Sequence, residues 1–341
     1  MRFILRLSVR FLHVANGSST TATIEAAAIP GIRSIWADVL YEGPVPAGLS
    51  DEQLLEVRWR FLAPQDDSPV DPVNDLRAWR QIIEQHDAYD ELILWFEHDL
   101  FDQLNLIQIL SWLRHRLPAS KVVSLVCIGS YPGRPRFKGL GELAPDELAP
   151  LLDTRQPVSE AQYALAERAW QAFREPTPEA VDDLRRTDTT ALPYLAPALV
   201  RFLQEYPWTT DGLSRTERRL LALAAAGPID LSVAFPRMHD GEDAYYVTDG
   251  SLAELTDTLS HSMPALIARD VEPTSDAELL RGSVTITDAG RRVLSGEQDR
   301  IALCGTDRWL GGVHLTGNAS VWRWDDTHQR IIAGSNGQPA S

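Results

Sequence analysis

The stretch from Glu91 to Leu113 (ELILWFEHDLFDQLNLIQILSWL) constrains the fold most, because it places an apolar strand, a polar turn and an apolar helix side by side. Leu92 to Phe96 is a continuous apolar run, which is typical of a central strand in a parallel sheet that is covered on both faces. Apolar residues then follow at spacings of three and four, the pattern of a largely buried helix: Leu100, Leu104, Ile107 and Leu110. The stretch therefore predicts an α/β fold built around this strand.

Strands alternate with helices over the first 140 residues. The predicted strands are Phe11–Ala15, Ser34–Ala37, Leu92–Phe96 and Val122–Ile128, and the helices between them are Thr20–Ala28, Asp51–Leu62 and Asp75–His86. This alternation predicts a Rossmann-like parallel sheet domain, with helices on both faces of the sheet, over residues 1–140.

The rest of the chain has a different pattern. Residues 141–210 predict helix after helix, which we interpret as a helical connector. In residues 211–330, a capping box from Ser214 to Glu217 opens a run of helices with one short strand, which predicts a winged-helix-like α+β segment. Gly312–Leu315 and Val321–Trp324 flank a turn and predict a terminal hairpin. Residues 331–341, rich in Gly, Ser and Asn, predict a disordered tail.

The composition narrows the class of protein. Thirty-two Lys and Arg against forty-eight Asp and Glu give a net charge of −16, which repels nucleic acid from the chain as a whole. The two cysteines support neither a disulfide framework nor a cysteine zinc site. The N-terminus lacks the features of a signal peptide, and no run approaches the roughly eighteen apolar residues that span a bilayer. We therefore expect a cytoplasmic protein with no membrane contact, and its oligomeric state stays open.

The turn after the first predicted strand is a candidate phosphate-binding loop. Asn16, Gly17, Ser18 and Ser19 precede a helix, where free backbone N–H groups and the helix dipole favour an anion. The Walker lysine and the triple-glycine fingerprint are both missing from this loop. Ser18 or Ser19 could instead simply cap the helix. Both interpretations stay open at this point.

Ionisable residues follow the central strand, at the end of a parallel strand where α/β proteins bind ligands. Glu97, His98 and Asp99, with Asp102 nearby, could ligate a divalent metal, or His98 could act as a general acid or base with an acidic partner. Asp99 is also well placed as a helix N-cap, but a cap explains neither Glu97 nor His98.

Asp38 ends a neighbouring strand and could face the same crevice, or could cap the turn before Gly43. With it, the candidate catalytic residues are Asp38, Glu97, His98 and Asp99. A divalent metal is a candidate cofactor, and its identity stays open.

Six segments carry a resemblance to a known family: HVANGSS (His13–Ser19), IWADVLYEGPVP (Ile35–Pro46), LWFEHDLFDQL (Leu94–Leu104), GLGEL (Gly139–Leu143), GLSRTERRLL (Gly212–Leu221) and DRWLGGVHL (Asp307–Leu315). In these segments the chain resembles the domain of unknown function 1835 family, an uncharacterised bacterial family. The resemblance spans nearly the whole chain. It implies a domain arrangement and no established activity.

Two functional hypotheses follow. In the first, the protein is an enzyme, a hydrolase or transferase, that holds a small phosphorylated or nucleotide-like ligand at the carboxyl ends of the sheet. In the second, it is a regulatory or interaction protein whose winged-helix-like segment, Asp211–Gly296, contacts DNA or a protein while the N-terminal domain senses a ligand. The acidic stretch from Asp240 onward favours a protein contact or a structural role over DNA binding.

Overall fold

A computed structural model describes residues 9–62, 72–273, 275, 278–319 and 322–334. The chain forms two compact units, the first of residues 1–174 with 187–196 and the second of residues 175–186 with 197–341. The connector predicted for residues 141–210 is therefore shared between the units. No helix in the described ranges has the length and apolar character that a bilayer crossing needs.

The first unit is a mixed α/β structure, as predicted. Its strands are β1 (Phe11–Ala15), β2 (Ile32–Ile35), β3 (Gly43–Pro44), β4 (Glu91–Glu97), β5 (Val122–Ile128) and β6 (Gln156–Pro157). Its helices are α1 (Ser18–Ala26), α2 (Asp51–Leu62), α3 (Pro72–Glu84), α4 (Leu100–Arg116), α5 (Pro145–Leu148) and α6 (Glu160–Arg174). Both α1 and β2 begin two residues earlier than the sequence predicted, because end positions depend on local capping and pairing that periodicity does not resolve.

Five strands form one sheet in the order β2-β1-β4-β5-β6. The first four run parallel, and β6 lies antiparallel on β5. Because β1 lies between β2 and β4, the strand order reverses there, and the carboxyl ends of β1 and β4 form a topological switch point.

The sheet is buried on both faces. On one face Ala15, Ile93, Trp95 and Val126 join a core cluster that α1 and residues 137–148 cover. Leu92, Leu94 and Phe96 alternate with these residues along β4 and are also fully buried, so the second face is covered too. Helix α4 is buried along most of its length. Its burial explains why its sequence carries apolar residues on more than one face.

The second unit contains helices and small antiparallel sheets. Its helices are α7 (Glu179–Leu184), α8 (Leu195–Leu203, whose first two residues belong to the first unit), α9 (Arg215–Ala225), α10 (Leu231–Met238), α11 (Asp249–His261), α12 (Asp288–Leu294) and α13 (Arg300–Cys304). Its strands are β7 (Ile229–Asp230), β8 (Ile267–Arg269), β9 (Ser283–Ile286), β10 (Thr306–Gly311), β11 (Val313–Gly317), β12 (Arg323–Asp325) and β13 (Arg330–Ile332). Strand β9 pairs with both β7 and β8.

The predicted terminal hairpin, which paired Gly312–Leu315 with Val321–Trp324, is wrong. Strand β11 pairs with β10 instead, with Leu310 opposite Val313, and β12 pairs with β13. Gly311 has a φ of 60°, so a tight turn can close directly before β11. Val321, which the prediction placed in the hairpin, lies outside the described residues. The predicted disordered tail, 331–341, begins inside β13, and residues 335–341 also lie outside the description.

The predicted capping box at the start of α9 is confirmed. The Ser214 hydroxyl accepts a hydrogen bond from the backbone N–H of Glu217 at 3.1 Å, and the Glu217 carboxylate accepts one from the backbone N–H of Ser214 at 2.7 Å. Two N–H groups that the first helical turn would leave unpaired are thereby satisfied.

Replacing Ser214 by alanine is expected to lower the free energy of unfolding by about 1 kcal/mol, the usual loss for a serine N-cap. Urea unfolding of the full chain would measure it. Ser232, an exposed serine on α10, offers a matched control whose replacement by alanine should change stability by less than about 0.5 kcal/mol. Equal losses in the two variants would contradict a capping role.

Candidate functional site

The candidate site lies at the switch point of the sheet. Strand β1 ends at Ala15 and β4 ends at Glu97, and the two strands are parallel neighbours with Ala15 opposite Trp95. Residues that follow the two strands therefore emerge at the same edge. One carboxylate oxygen from each of Glu97, Asp99 and Asp102 lies within 4.8 Å of the others. We call these three residues the carboxylate cluster.

The turn into α4 positions the carboxylate cluster. Asp99 is the N-cap of α4, and its side chain accepts a hydrogen bond from the backbone N–H of Asp102 at 2.9 Å. Asp102 in turn accepts one from the backbone N–H of Glu97 at 2.9 Å. The predicted cap role of Asp99 is confirmed, and the cap itself brings Asp99 beside the other two carboxylates.

Asn16 connects the candidate phosphate-binding loop to the carboxylate cluster. Its side-chain amide donates a hydrogen bond to Asp102 at 3.0 Å, across 86 residues of sequence. Its carbonyl oxygen accepts one from the Thr20 hydroxyl at 2.9 Å, which fixes the orientation of the amide. The loop after β1 and the turn after β4 are therefore joined by hydrogen bonds into one polar cluster.

Burial sets the electrostatics of the cluster. The side chain of Asp102 is almost completely buried, and Glu97 and Asp99 are only slightly more exposed. Burial, followed by the charge of Asp99, raises the pKa of Glu97 to about 8. Burial raises the pKa of Asp99 to about 6, and burial with the charges of Glu97 and Asp99 raises the pKa of Asp102 well above its usual value. The cluster therefore holds protons to a higher pH than free carboxyl groups do.

The GLGEL segment packs directly on the site through its backbone. The backbone N–H of Leu140 donates a hydrogen bond to the Glu97 carboxylate. A Cβ at Gly139 would overlap the same carboxylate, and a Cβ at Gly141 would lie 2.8 Å from the Cβ of Ser19. These glycines permit a close approach of the backbone to the site. Two glycines around one leucine after the last parallel strand are the signal that could have indicated this contact.

The candidate phosphate-binding loop has an open helix end. Gly17 is the N-cap of α1, and no side chain caps this helix. The alternative prediction, a cap by Ser18 or Ser19, is therefore wrong, and both serines are exposed. Among the described residues, apart from Gly17 and its two neighbours in the chain, no heavy atom lies within 4 Å of the position of a Cβ on Gly17. The first N–H groups of α1 have no partners inside the helix, so they are available to a ligand.

His98 borders the carboxylate cluster. Its ring stacks on Phe137 with 6.3 Å between ring centroids, and it meets the edge of Tyr194 at 6.1 Å. The group of potential metal ligands among the described residues comprises the three carboxylates and does not include His98. The structure therefore places this histidine beside the site, in an aromatic surround.

Asp38 lies in a separate cluster. The Arg58 guanidinium binds the Asp38 carboxylate through two nitrogens, at 2.7 and 3.0 Å, and both side chains are buried. The side chain thus contacts Arg58 and does not cap the turn before Gly43. Asp38 follows β2, on the far side of β1 from β4, and the structure does not join it to the carboxylate cluster. The third carboxylate of the cluster is that of Asp102 and not that of Asp38. Asp102 follows the N-cap Asp99 by three residues, and this spacing at the start of a helix indicates that the two side chains lie close together.

Comparison with protein-family models finds no match to this chain, and comparison with the curated proteins finds no similar one. The resemblance to the domain of unknown function 1835 family accordingly stays a prediction.

Proposed function

We propose that the first unit is a Rossmann-like domain that binds a small phosphorylated ligand together with a divalent cation, and that the protein acts on this ligand as a hydrolase or transferase. The hydrogen bond from Asn16 to Asp102 carries the proposal, because it joins an open helix N-terminus to three buried carboxylates. The first feature favours a phosphate and the second a cation.

The donor set suits a hard divalent cation such as Mg²⁺ or Mn²⁺. Glu97, Asp99 and Asp102 would supply oxygen ligands only, which these cations prefer. A cation would displace protons held by the cluster and relieve the repulsion within it. It would also neutralise the charge that develops on a phosphoryl oxygen when the ligand reacts.

The chain's own groups would share the remaining tasks. The backbone N–H groups at the start of α1 would hold the phosphate, and the Ser18 and Ser19 hydroxyls, which are exposed, could donate to it. His98, at the border of the carboxylate cluster, is the candidate general acid or base. Asp38 is assigned a structural role with Arg58 and no part in the reaction.

The order of elements in the second unit favours a second candidate function. From α9 to β9 the order is helix, strand, two helices and two strands, the order expected of a winged-helix-like module. In such a module α11 would be the recognition helix. This helix carries Asp249, Glu254 and Asp257, so a protein surface is a better partner for it than DNA.

Replacing Asp99 by asparagine tests the cation site. Asparagine is as good an N-cap as aspartate, so the fold should be retained, while one ligand charge is lost. We expect the affinity for Mn²⁺, measured by titration calorimetry, to fall at least about tenfold, since a bond to a charged group contributes about 1.5–3 kcal/mol. Asp146→Asn, at an exposed position in the same unit, is the matched control. Wild-type Mn²⁺ affinity in Asp99→Asn would contradict the proposal.

Replacing Ser18 by proline tests the phosphate part of the site. Ser18 is the first residue of α1, a position where proline is tolerated, so the variant removes one free N–H without breaking the helix. In the presence of Mg²⁺ the variant should bind pyrophosphate more weakly than the wild type. It should also release less phosphate from a panel of nucleotides and sugar phosphates. If the wild type releases no phosphate with Mg²⁺ or with Mn²⁺, the enzyme proposal is contradicted and the interaction-protein alternative is favoured.

A further inference from the structure

A second polar cavity lies in the first unit, away from the carboxylate cluster. It has a volume of about 230 Å³ and is lined by residues of α2, α3, α4 and α6. Along α4 the lining runs from Gln108 to Arg116, whereas the carboxylate cluster lies at the start of the helix. At 1.5 Å per residue, Asp102 and Arg116 are separated by about 20 Å along the helix axis. The cavity is therefore a different place from the site at the switch point.

Three arginines line this cavity, and each lies over the face of a tryptophan. Arg80 lies 4.8 Å from the ring centroid of Trp36, Arg116 lies 4.4 Å from that of Trp112, and Arg174 lies 5.4 Å from that of Trp170. Stacking of this kind holds a flat guanidinium in a defined orientation. The cavity thus presents cations that are already ordered.

The cavity has more positive charge than its lining can neutralise. Asp51 is the one carboxylate among the lining residues, and it pairs with Arg116. Arg174 donates hydrogen bonds to the neutral backbone carbonyl of Pro46 at 2.7 and 3.1 Å. Two cationic side chains, Arg80 and Arg174, therefore have no carboxylate partner within the lining. A surplus of this kind stands out in a chain with a net charge of −16.

The surroundings of Arg80 give the clearest indication that the cavity binds an anion. In the part of the chain that the structure describes, its guanidinium contacts the Trp36 ring and forms no hydrogen bond or ion pair. Burial lowers its pKa, against the nearby charges of Asp51 and Asp38, which raise it. Its side chain is partly exposed, so water reaches these N–H donors, and a bound anion could take the place of that water.

We propose that this cavity binds a small phosphorylated compound through Arg80, Arg116 and Arg174. Guanidinium groups match phosphate in geometry, because their paired N–H donors can reach two oxygens at once. A volume of about 230 Å³ admits a phosphate with a small organic body and excludes a dinucleotide. The inference does not depend on the function proposed for the carboxylate cluster.

The test is titration calorimetry of the full chain with pyrophosphate in EDTA, which removes any binding that requires a divalent cation. The wild type should bind under these conditions. Arg80→Gln should bind at least about tenfold more weakly, since a hydrogen bond to a charged group contributes that much. Arg80 has no hydrogen-bond or ion-pair partner to lose among the described residues, so the thermal midpoint of the free variant should stay near that of the wild type.

Four further variants separate the possible results. Arg60→Gln, at an exposed position on α2, and Asp99→Asn, in the carboxylate cluster, should both keep wild-type pyrophosphate affinity in EDTA. Arg80→Lys, which keeps a cation, should recover part of the binding. Absence of EDTA-resistant binding in the wild type would overturn the proposal. So would equal affinity in Arg80→Gln, or a loss confined to Ser18→Pro, which would assign the binding to the start of α1.

Discussion

Replacing Arg58 by alanine is expected to lower the free energy of unfolding by about 3–5 kcal/mol, because it would leave the Asp38 carboxylate buried without its partner. Both side chains are more than nine-tenths buried and form a bidentate pair. Arg58 also donates to the backbone carbonyls of Val39 and Glu42, at 3.1 and 2.7 Å. One side chain on α2 therefore holds the whole segment that follows β2, and urea unfolding would measure its loss.

Arg60→Ala is the matched control. Arg60 lies on the same helix but is exposed, and it pairs with Glu56 one turn away. Such pairs contribute about 0.3–0.5 kcal/mol, so the control should lose no more than that. Replacing the buried pair by apolar residues, Arg58→Met with Asp38→Leu, should restore much of the stability that Arg58→Ala loses. An Arg58→Ala variant as stable as the control would contradict the structural role assigned to Asp38.

The metal-free protein is expected to lose stability as the pH rises from about 5 to about 8. The pKa of Asp99 is raised to about 6 and that of Glu97 to about 8, chiefly by burial, from usual values near 4. The folded state therefore binds more protons than the unfolded state across this range, and the slope of stability against pH is negative. Complete deprotonation should remove a few kcal/mol, since one unit of pKa shift corresponds to about 1.4 kcal/mol.

The variant Glu97→Gln tests how much of the stability loss near pH 8 comes from Glu97. Glutamine cannot ionise but can still accept the hydrogen bond from the backbone N–H of Leu140. Thermal unfolding in EDTA at pH 5, 6.5 and 8 should show a smaller loss between pH 6.5 and 8 in this variant than in the wild type. Glu84→Gln, at an exposed position on α3, should keep the wild-type slope. A flat wild-type profile would show that the cluster titrates normally.

Much of the fold follows from local patterns in the sequence. The apolar run before Glu97 predicted β4, the helical spacing after it predicted α4, and both are confirmed. Helix ends were predicted where a side chain caps them, as Asp99 and Ser214 do. The start of α1 was predicted less well, because Gly17 caps it without a side chain. The predicted pairing of β11 was wrong, because β11 pairs with β10 after a turn at Gly311.

The sequence by itself determined the α/β class, the polar turns that follow β1 and β4, and the caps by Asp99 and Ser214, because each depends on residues within about four positions of one another. Tertiary structure alone decided which of the candidate side chains meet. Asn16 meets Asp102 across 86 residues, Leu140 meets Glu97 across 43, and Arg58 takes Asp38 out of the site. The choice of a partner for a buried charge depends on which strands are neighbours and which helices cover them. Periodicity does not encode that choice.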